Sequence, residues 1–534
     1  MFDVRSSKIS RPRTCSLART ESLTLSLSCC LALALSFVRY KETDLFKMLQ
    51  TVDLANLSTL DDATKARIPN LLALRDAIYS AEFRKFVSSV TGCGELSEIT
   101  DCACNIHPIG GHLLTHDDVI GDRRVSYIIY LTDPDDPWTE EDGGALELYP
   151  EDPEAPLQPY PVPSANALPV YNTMAMFKVE AGKSFHSIQE VFTSEKPRMS
   201  LQGWFHGPIP DEDGMNAKAI PTLGMLQKNM EESDLGRFKD FGHGGANDVE
   251  LMTGDGGAFE LSDADVRCLT EWINPLYLDA RATRKLQQAF EEDGSIHLLN
   301  VLRDDKAQAI KEAMLAADAA DGVGEGRRPE YEVGVRGGWK LCGPAHMQRF
   351  LRFDNVGIDD EQPCPVGQLL QRVYDELIST VSFANLIRSF TTLSMIGCQG
   401  EVRRFRPGLD YTVAHYGALT KDPRLDVVLT FVNQDSMSSA SWADGECGGF
   451  EAYLLADEDE DGPAEVYRQV QDDDSGVLNV SATFNALSIV LRDEGLMRFV
   501  KYVSSTAPGS RWDVSAIMLP VDDSDDDVED DAAA

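Results

Sequence analysis

Apolar and polar positions change period several times along the chain, and the changes mark its organisation. Between residues 44 and 90, leucines and charges recur at helical spacing, as at Leu71, Leu72, Leu74, Ile78 and Phe83, which predicts helices. After Cys102 the period shortens. Tyr127 to Leu131 is a bulky, β-prone run, Gly143-Gly144 introduces Ala145 to Tyr149, and 150–169 is a proline-rich loop. Thr173 to Val179 and Met199 to Phe205 read as further strands, and short strands parted by turn residues predict an antiparallel jelly roll. Residues 208–257 are rich in Gly, Asp and Pro, with one candidate helix at Leu223 to Met230. Helical text resumes at 261–290 and 301–320, and a second strand-rich region runs over 402–519.

The two strand regions read as degenerate copies. Gly143 to Tyr149 is echoed by Gly448 to Tyr453, and His116 by His415. Gly417 stands where a carboxylate follows His116, and Arg498 to Lys501 where a second histidine would fall. The expected fold is therefore mainly β with flanking helices (α+β): two tandem double-stranded β-helix, or jelly-roll, domains, the second without metal. The expected boundaries are a basic, Ser-rich extension over 1–38, a catalytic domain over 39–210, a linker over 211–267, the second domain over 268–521 and an acidic tail over 522–534.

At 534 residues the chain is long enough for two such cores. Its 88 acidic and 48 basic residues give a formal charge of −40, which disfavours direct nucleic-acid binding and suits a basic partner, or simply keeps the protein soluble. The 11 scattered cysteines form no CxxC pair and read as free thiols. No apolar run is long enough for a membrane span. Residues 1–38 are either a targeting peptide or a misassigned start.

His116, Asp118 and His186 are the two-histidine, one-carboxylate set that holds non-haem Fe(II) on one face and leaves positions for a 2-oxo acid and O₂. On a strand, residues i and i+2 share a face, so His116 and Asp118 are expected to reach one ion directly. His186 is expected from the opposite sheet. Arg198 suits the far carboxylate of a dicarboxylic co-substrate, and Tyr130 offers a hydroxyl to the same group. A zinc pair at His112 and His116 is disfavoured by Gly110-Gly111 and the missing glutamate. Asp457 to Gly462 imitates a calcium loop, but its twelfth position is Arg468.

His116-Asp117-Asp118, Arg123 to Leu131, Asp142 to Tyr149, Phe185 to Val191, Gly203 to Gly207 and Glu271 to Asp279 together resemble the 2-oxoglutarate- and Fe(II)-dependent prolyl 3-hydroxylases that modify a small-subunit ribosomal protein. The resemblance runs from about residue 40 to 520 and includes both domains. It implies His116, Asp118 and His186 as iron ligands, Tyr130 and Arg198 as 2-oxoglutarate contacts, O₂ as oxidant and ascorbate as reductant. It implies hydroxylation of a proline at C-3, with C-4 as a second position. Two departures stand out. His107 replaces a tyrosine common in the family, and residues 1–38 do not match its leading segment, which leaves either a wrong start or an incomplete supporting sheet. Other readings are an oxygen-sensing prolyl hydroxylase of another protein and an inactive protein-binding scaffold. The expected compartment is cytoplasm or nucleus, with organellar or secretory targeting by residues 1–38 as the alternative.

Overall fold

The computed structural model describes residues 38–208, 238–241, 259–324, 326, 328–355, 364–414, 423–434, 442–455, 478–493 and 495–521. Among these, the first half holds β1 (Val38–Glu42), β2 (Phe46–Thr51), β3 (Ala103–His107), β4 (His112–His116), β5 (Arg123–Tyr130), β6 (Leu146–Leu148), β7 (Glu151–Asp152), β8 (Ala155–Pro159), β9 (Ala165–Ala167), β10 (Met174–Lys178), β11 (His186–Ile188) and β12 (Arg198–His206). Ten of them form one curled antiparallel sheet in the order β10-β5-β12-β3-β2-β4-β11-β6-β9, with β1 on β2. Period-two alternation sorts its faces. Val125 and Tyr127 of β5, with Leu201 and Phe205 of β12, pack beneath the helices Pro69–Ile78 and Ala81–Thr91. Ile128 and Tyr130 turn the other way, into the roll, against Leu146.

The helical reading of 44–90 fails at its start. Phe46 and Met48 are buried against Leu113 and Ile188, and β2 pairs with both β3 and β4. Six residues in period two, with partners on both sides, make a central strand despite the helical text that follows. The proline-rich segment likewise contributes β7, β8 and β9. Val38, assigned to the extension, begins β1, and the extension's other residues lie outside the described ones.

The second half contains β13 (Lys239–Asp240), β14 (Ser295–Leu299), β15 (Trp339–Cys342), β16 (Gln348–Phe353), β17 (Met395–Phe405), β18 (Tyr411–Thr412), β19 (Arg424–Phe431), β20 (Glu451–Leu455), β21 (Leu478–Val480), β22 (Ala486–Arg492), β23 (Leu496–Val500) and β24 (Arg511–Pro520). Its large sheet runs β14-β22-β19-β24-β17-β16-β15, with β13 on β17 and β18 on β16, and a small sheet runs β21-β20-β23. β13 falls within the expected linker yet extends this sheet. The helices Asp304–Asp321, Pro365–Val373 and Val381–Thr391 cover the large sheet through Ile310, Leu370, Phe383 and Phe390. The candidate helix at 223–230, His415, Gly417, the calcium-like loop and the acidic tail lie outside the described residues. Among the described residues no helix is long and apolar enough to cross a membrane.

The halves meet behind β4, β6 and β11 through buried polar groups. Glu147 of β6 accepts hydrogen bonds from Tyr331 (2.8 Å), Arg328 (2.8 Å) and its own neighbour Ser187 (2.9 Å). Glu190, just past β11, accepts from the Ser504 hydroxyl (2.5 Å), the Ser505 amide (2.8 Å) and Tyr502 (3.2 Å). Arg349 reaches Tyr149 at 3.2 Å.

Candidate metal and co-substrate site

β4 and β11 are hydrogen-bonded neighbours, with His116 opposite His186 in register. The expectation that His186 arrives from the opposite sheet is therefore corrected: the two histidines are a cross-strand pair, ring centroids 4.2 Å apart. A register irregularity lies between this pair and Leu113–Ile188. With two residues of β4, Leu114 and Thr115, facing one of β11, Ser187, both Leu113 and His116 point into the roll. Thr115 faces the other way, 3.3 Å from the Tyr411 hydroxyl of the second half.

Strand alternation does not place Asp118 either. β4 ends at His116, and Asp118 adopts φ +61°, the left-handed region that an aspartate tolerates better than most residues. Asp117 Oδ1 accepts from the Val119 amide at 3.2 Å, an Asx turn that folds the loop back. The outcome is the one anticipated, by another route. Asp118 Oδ1 lies 3.3 Å from His116 Nε2 and Oδ2 lies 3.4 Å from His186 Nε2. One ligand atom from each of the three residues falls within 4.8 Å of the others.

Each histidine is oriented from behind. His116 Nδ1 lies 2.8 Å from Leu114 O and His186 Nδ1 2.8 Å from Ser184 O, so Nδ1–H donates to a carbonyl and Nε2 keeps its lone pair for the site. The Ser184 hydroxyl also lies 2.7 Å from Asp117 O and joins the two ligand loops. Burial, with the charge of His116, lowers the His186 pKa to about 4. Burial works against His116 too, but its hydrogen bond and charge interaction with Asp118 lift it above the usual value. Burial would raise Asp118, yet His186 and His116 hold it well below the carboxylate range. Two converging imidazole Nε2 atoms and an ionised carboxylate fit a divalent ion such as Fe(II), which would take the place of the proton that Asp118 favours on His116.

Deeper in the roll, Arg198 is fully buried and its Nε donates to Gly144 O at 2.7 Å. Its Nη2 and the buried Tyr130 hydroxyl have no partner beyond a loose approach to one another. Arg198 and Tyr130 are close, guanidinium carbon to ring centroid 5.3 Å. No described carboxylate pairs with Arg198. A buried guanidinium without an anion is costly, so this pair fits the far carboxylate of 2-oxoglutarate.

The second half supplies an internal comparison. β23 pairs with β20 as β11 pairs with β6, and the register aligns Arg498 with His186 and Glu451 with Leu146. Arg511 opens β24 as Arg198 opens β12, and it donates to Gly449 O (2.5 Å) as Arg198 does to Gly144 O. Here the carboxylate is built in. Glu451 Oε1 lies 2.6 Å from Arg498 and 3.0 Å from Arg511. Asp513 and Asp426 pair with Arg403 (2.8 Å) and Arg492 (3.2 Å). A guanidinium in the histidine's place repels a cation, and Glu451 fills the anion position. The sequence marked Arg498, whereas Glu451 and the interface acids Glu147 and Glu190 escaped it because their roles depend on register and on the other domain.

Of the other described histidines, His112, His206 and His297 have local hydrogen-bond partners. His112 Nδ1 lies 2.9 Å from Gly110 O and its ring stacks 4.4 Å from Tyr502, away from the triad. His206 bridges Asp122 (2.7 Å) and Asp101 (3.0 Å), and His297 bonds Ser488 at 2.9 Å.

Residues 102–206 match the 2OG-Fe(II) oxygenase superfamily, and 264–527 match the family described as oxoglutarate and iron-dependent oxygenase degradation C-term. The chain is 38% identical over 476 residues to the prolyl 3,4-dihydroxylase OGFOD1 of Ostreococcus tauri, covering 89% of this chain and 88% of that protein. It is 27% identical to the prolyl 3-hydroxylase sudestada1 of Drosophila melanogaster, over 89% of this chain and 76% of that one. Among solved structures, a Pseudomonas putida prolyl-4-hydroxylase aligns with a TM-score of 0.25 and 19% identity, over 35% of this chain and 85% of that one.

Proposed function

Because the chain belongs to the 2-oxoglutarate- and Fe(II)-dependent prolyl hydroxylases, we propose that it hydroxylates a proline of a small-subunit ribosomal protein at C-3, with C-4 as a second position. In this reading His116, Asp118 and His186 hold the iron, and Arg198 with Tyr130 holds the far carboxylate of 2-oxoglutarate. The bound iron, co-substrate and O₂ supply the oxidation, in which 2-oxoglutarate loses CO₂ to become succinate and one oxygen atom enters a C–H bond. The chain's own residues bind, orient and exclude water. The carbonyls of Leu114 and Ser184 fix the imidazole tautomers, and the buried guanidinium fixes the direction from which the 2-oxo acid enters. The observation that carries the reading is Arg198, buried in one roll without the carboxylate that its counterpart Arg511 has in the other.

A net charge of −40 suits a basic protein substrate, and the relatives' names support C-3 and C-4 as the positions modified. We place the protein in the cytoplasm or nucleus, where ribosomal proteins are made and assembled. A fluorescent fusion with and without residues 1–38 tests that placement, and import into an organelle only with the segment would overturn it.

The deciding experiment incubates the full chain with Fe(II), 2-oxoglutarate, ascorbate, O₂ and small-subunit ribosomal proteins. The expected products are succinate and a peptide heavier by one or two oxygen atoms on a single proline, both lost in His186→Ala. Succinate formed only with another protein would transfer the activity to that substrate. Absence of succinate with every protein offered would favour a scaffold.

A further inference from the structure

Behind the ligand strands, on the seam between the two halves, lies a cavity of about 20 Å³. The first half lines it through His112, Thr115 and Ser187, and the second through Arg328, Tyr331 and Tyr502. The hydroxyls and carboxylates around it already pair with one another: Thr115 with Tyr411, Ser187 and Tyr331 with Glu147, and Tyr502 with Glu190. Two lining residues keep an unsatisfied atom. His112 Nε2 and Arg328 Nε are buried without a hydrogen-bond partner, although buried polar atoms are almost always satisfied. Their chemistry is complementary. His112 Nδ1 lies 2.9 Å from Gly110 O, so that nitrogen carries the proton and Nε2 presents a lone pair. Burial and the ammonium of Lys501 lower the ring's pKa to about 3, which keeps it in this neutral form. Arg328 Nε can only donate.

We propose that this cavity is a binding site for one small neutral hydroxylic ligand, a water molecule, which donates to His112 Nε2, accepts from Arg328 Nε and so ties β4 to the second half. Size and polarity select it. A water needs about 10–15 Å³ of such space and two or more polar partners, and the cavity offers both. A simple anion could accept from Arg328, but it would meet the lone pair of His112 and the lining carboxylates of Glu147 and Glu190. A metal ion could take the imidazole lone pair, but the Arg328 and Arg349 guanidiniums in the lining would repel it. Organic molecules are too large. The site stands apart from the metal and co-substrate centre, because the His112 ring stacks on Tyr502 at 4.4 Å, behind the strand. It completes a row of links on the backs of the ligand strands. Thr115 meets Tyr411, Glu190 meets Ser504, Glu147 meets Tyr331, and His112 meets Arg328 through the water.

The test is a crystal structure of the full chain, grown in bromide, at a resolution that shows solvent. One water peak is expected in the cavity, about 2.7–3.2 Å from both His112 Nε2 and Arg328 Nε. An anomalous bromide peak there would make the ligand a halide and overturn the proposal, as would a cavity without any peak. In solution, oxygen-17 relaxation dispersion counts the long-lived water molecules. His112→Phe, which keeps the bulk of the ring and drops its acceptor, should lose one of them. His112→Gln, which restores an acceptor, should keep it. Arg328→Lys, which leaves a cation beside Glu147 without an Nε–H, should lose it as well. An equal count in all four proteins would overturn the proposal. A cooperative thermal melt establishes that each variant is folded, and should His112→Phe not fold, Arg328→Lys makes the same comparison.

Discussion

Arg198 and Arg511 start from the same geometry, each donating to the carbonyl of a glycine in a Gly-Gly turn, and they differ in what faces them. Leu146 leaves Arg198 its free Nη2, while Glu451 satisfies Arg511. Charge-assisted hydrogen bonds to a buried carboxylate contribute about 1.5–3 kcal/mol each. Arg198→Met should therefore raise the Kd for 2-oxoglutarate about 10- to 100-fold. Binding of Mn(II) to the triad should not change, and calorimetric titration checks both. At this scale much was legible in the sequence. His116, Asp118, His186 and Arg198 declared themselves by residue type and order, because metal and carboxylate chemistry leave few alternatives. The unsatisfied nitrogen of His112 was not legible, because satisfaction is a property of the packed interior.

The strands and turns show why chemistry read well from the sequence while geometry did not. Strand alternation predicts His116 and Asp118 on one face, yet the irregularity in β4 and the left-handed Asp118 produce the closeness instead. Register shifts and φ leave no residue-type signature at an aspartate. Phe46–Thr51 was lost to the helical text beside it, since six residues in period two are outvoted by the longer amphipathic run. The small sheet of the second roll carries a prediction of its own. Burial would raise Glu451, but Arg498, Arg511 and Arg403 hold its pKa at about 2, below its ordinary value of 4.5. A carboxyl depressed in the folded state adds stability that is complete above pH 4.5 and is lost as pH falls through about 2. The linked free energy is about 3 kcal/mol. Thermal melts between these pH values should show wild type losing stability that Glu451→Gln, already lower, does not lose. Parallel curves for the two proteins would refute the pairing.

At the scale of the whole molecule, the two rolls are held together by acids on the back of the strands that carry the histidines. Glu147 is opposite Ser187, the residue after His186, and takes its other bonds from Arg328 and Tyr331 across the boundary. Removing one member of a buried, hydrogen-bonded charge pair costs about 3–5 kcal/mol. The intact chain is expected to unfold in one calorimetric transition. Glu147→Ala should lower its midpoint and separate it into two. Two transitions already present in the unaltered protein would mean that the halves do not support one another. The built-in carboxylate of the second roll has a further consequence. A side chain that takes the co-substrate's seat is an inhibitor that never diffuses away, and one substitution suffices to install it in the working roll. Leu146→Glu, at the position aligned with Glu451, should satisfy Arg198 from within and abolish 2-oxoglutarate binding in titrations while the triad still takes up Mn(II). The product would be an enzyme silenced by one of its own side chains, loaded with metal and indifferent to any concentration of co-substrate.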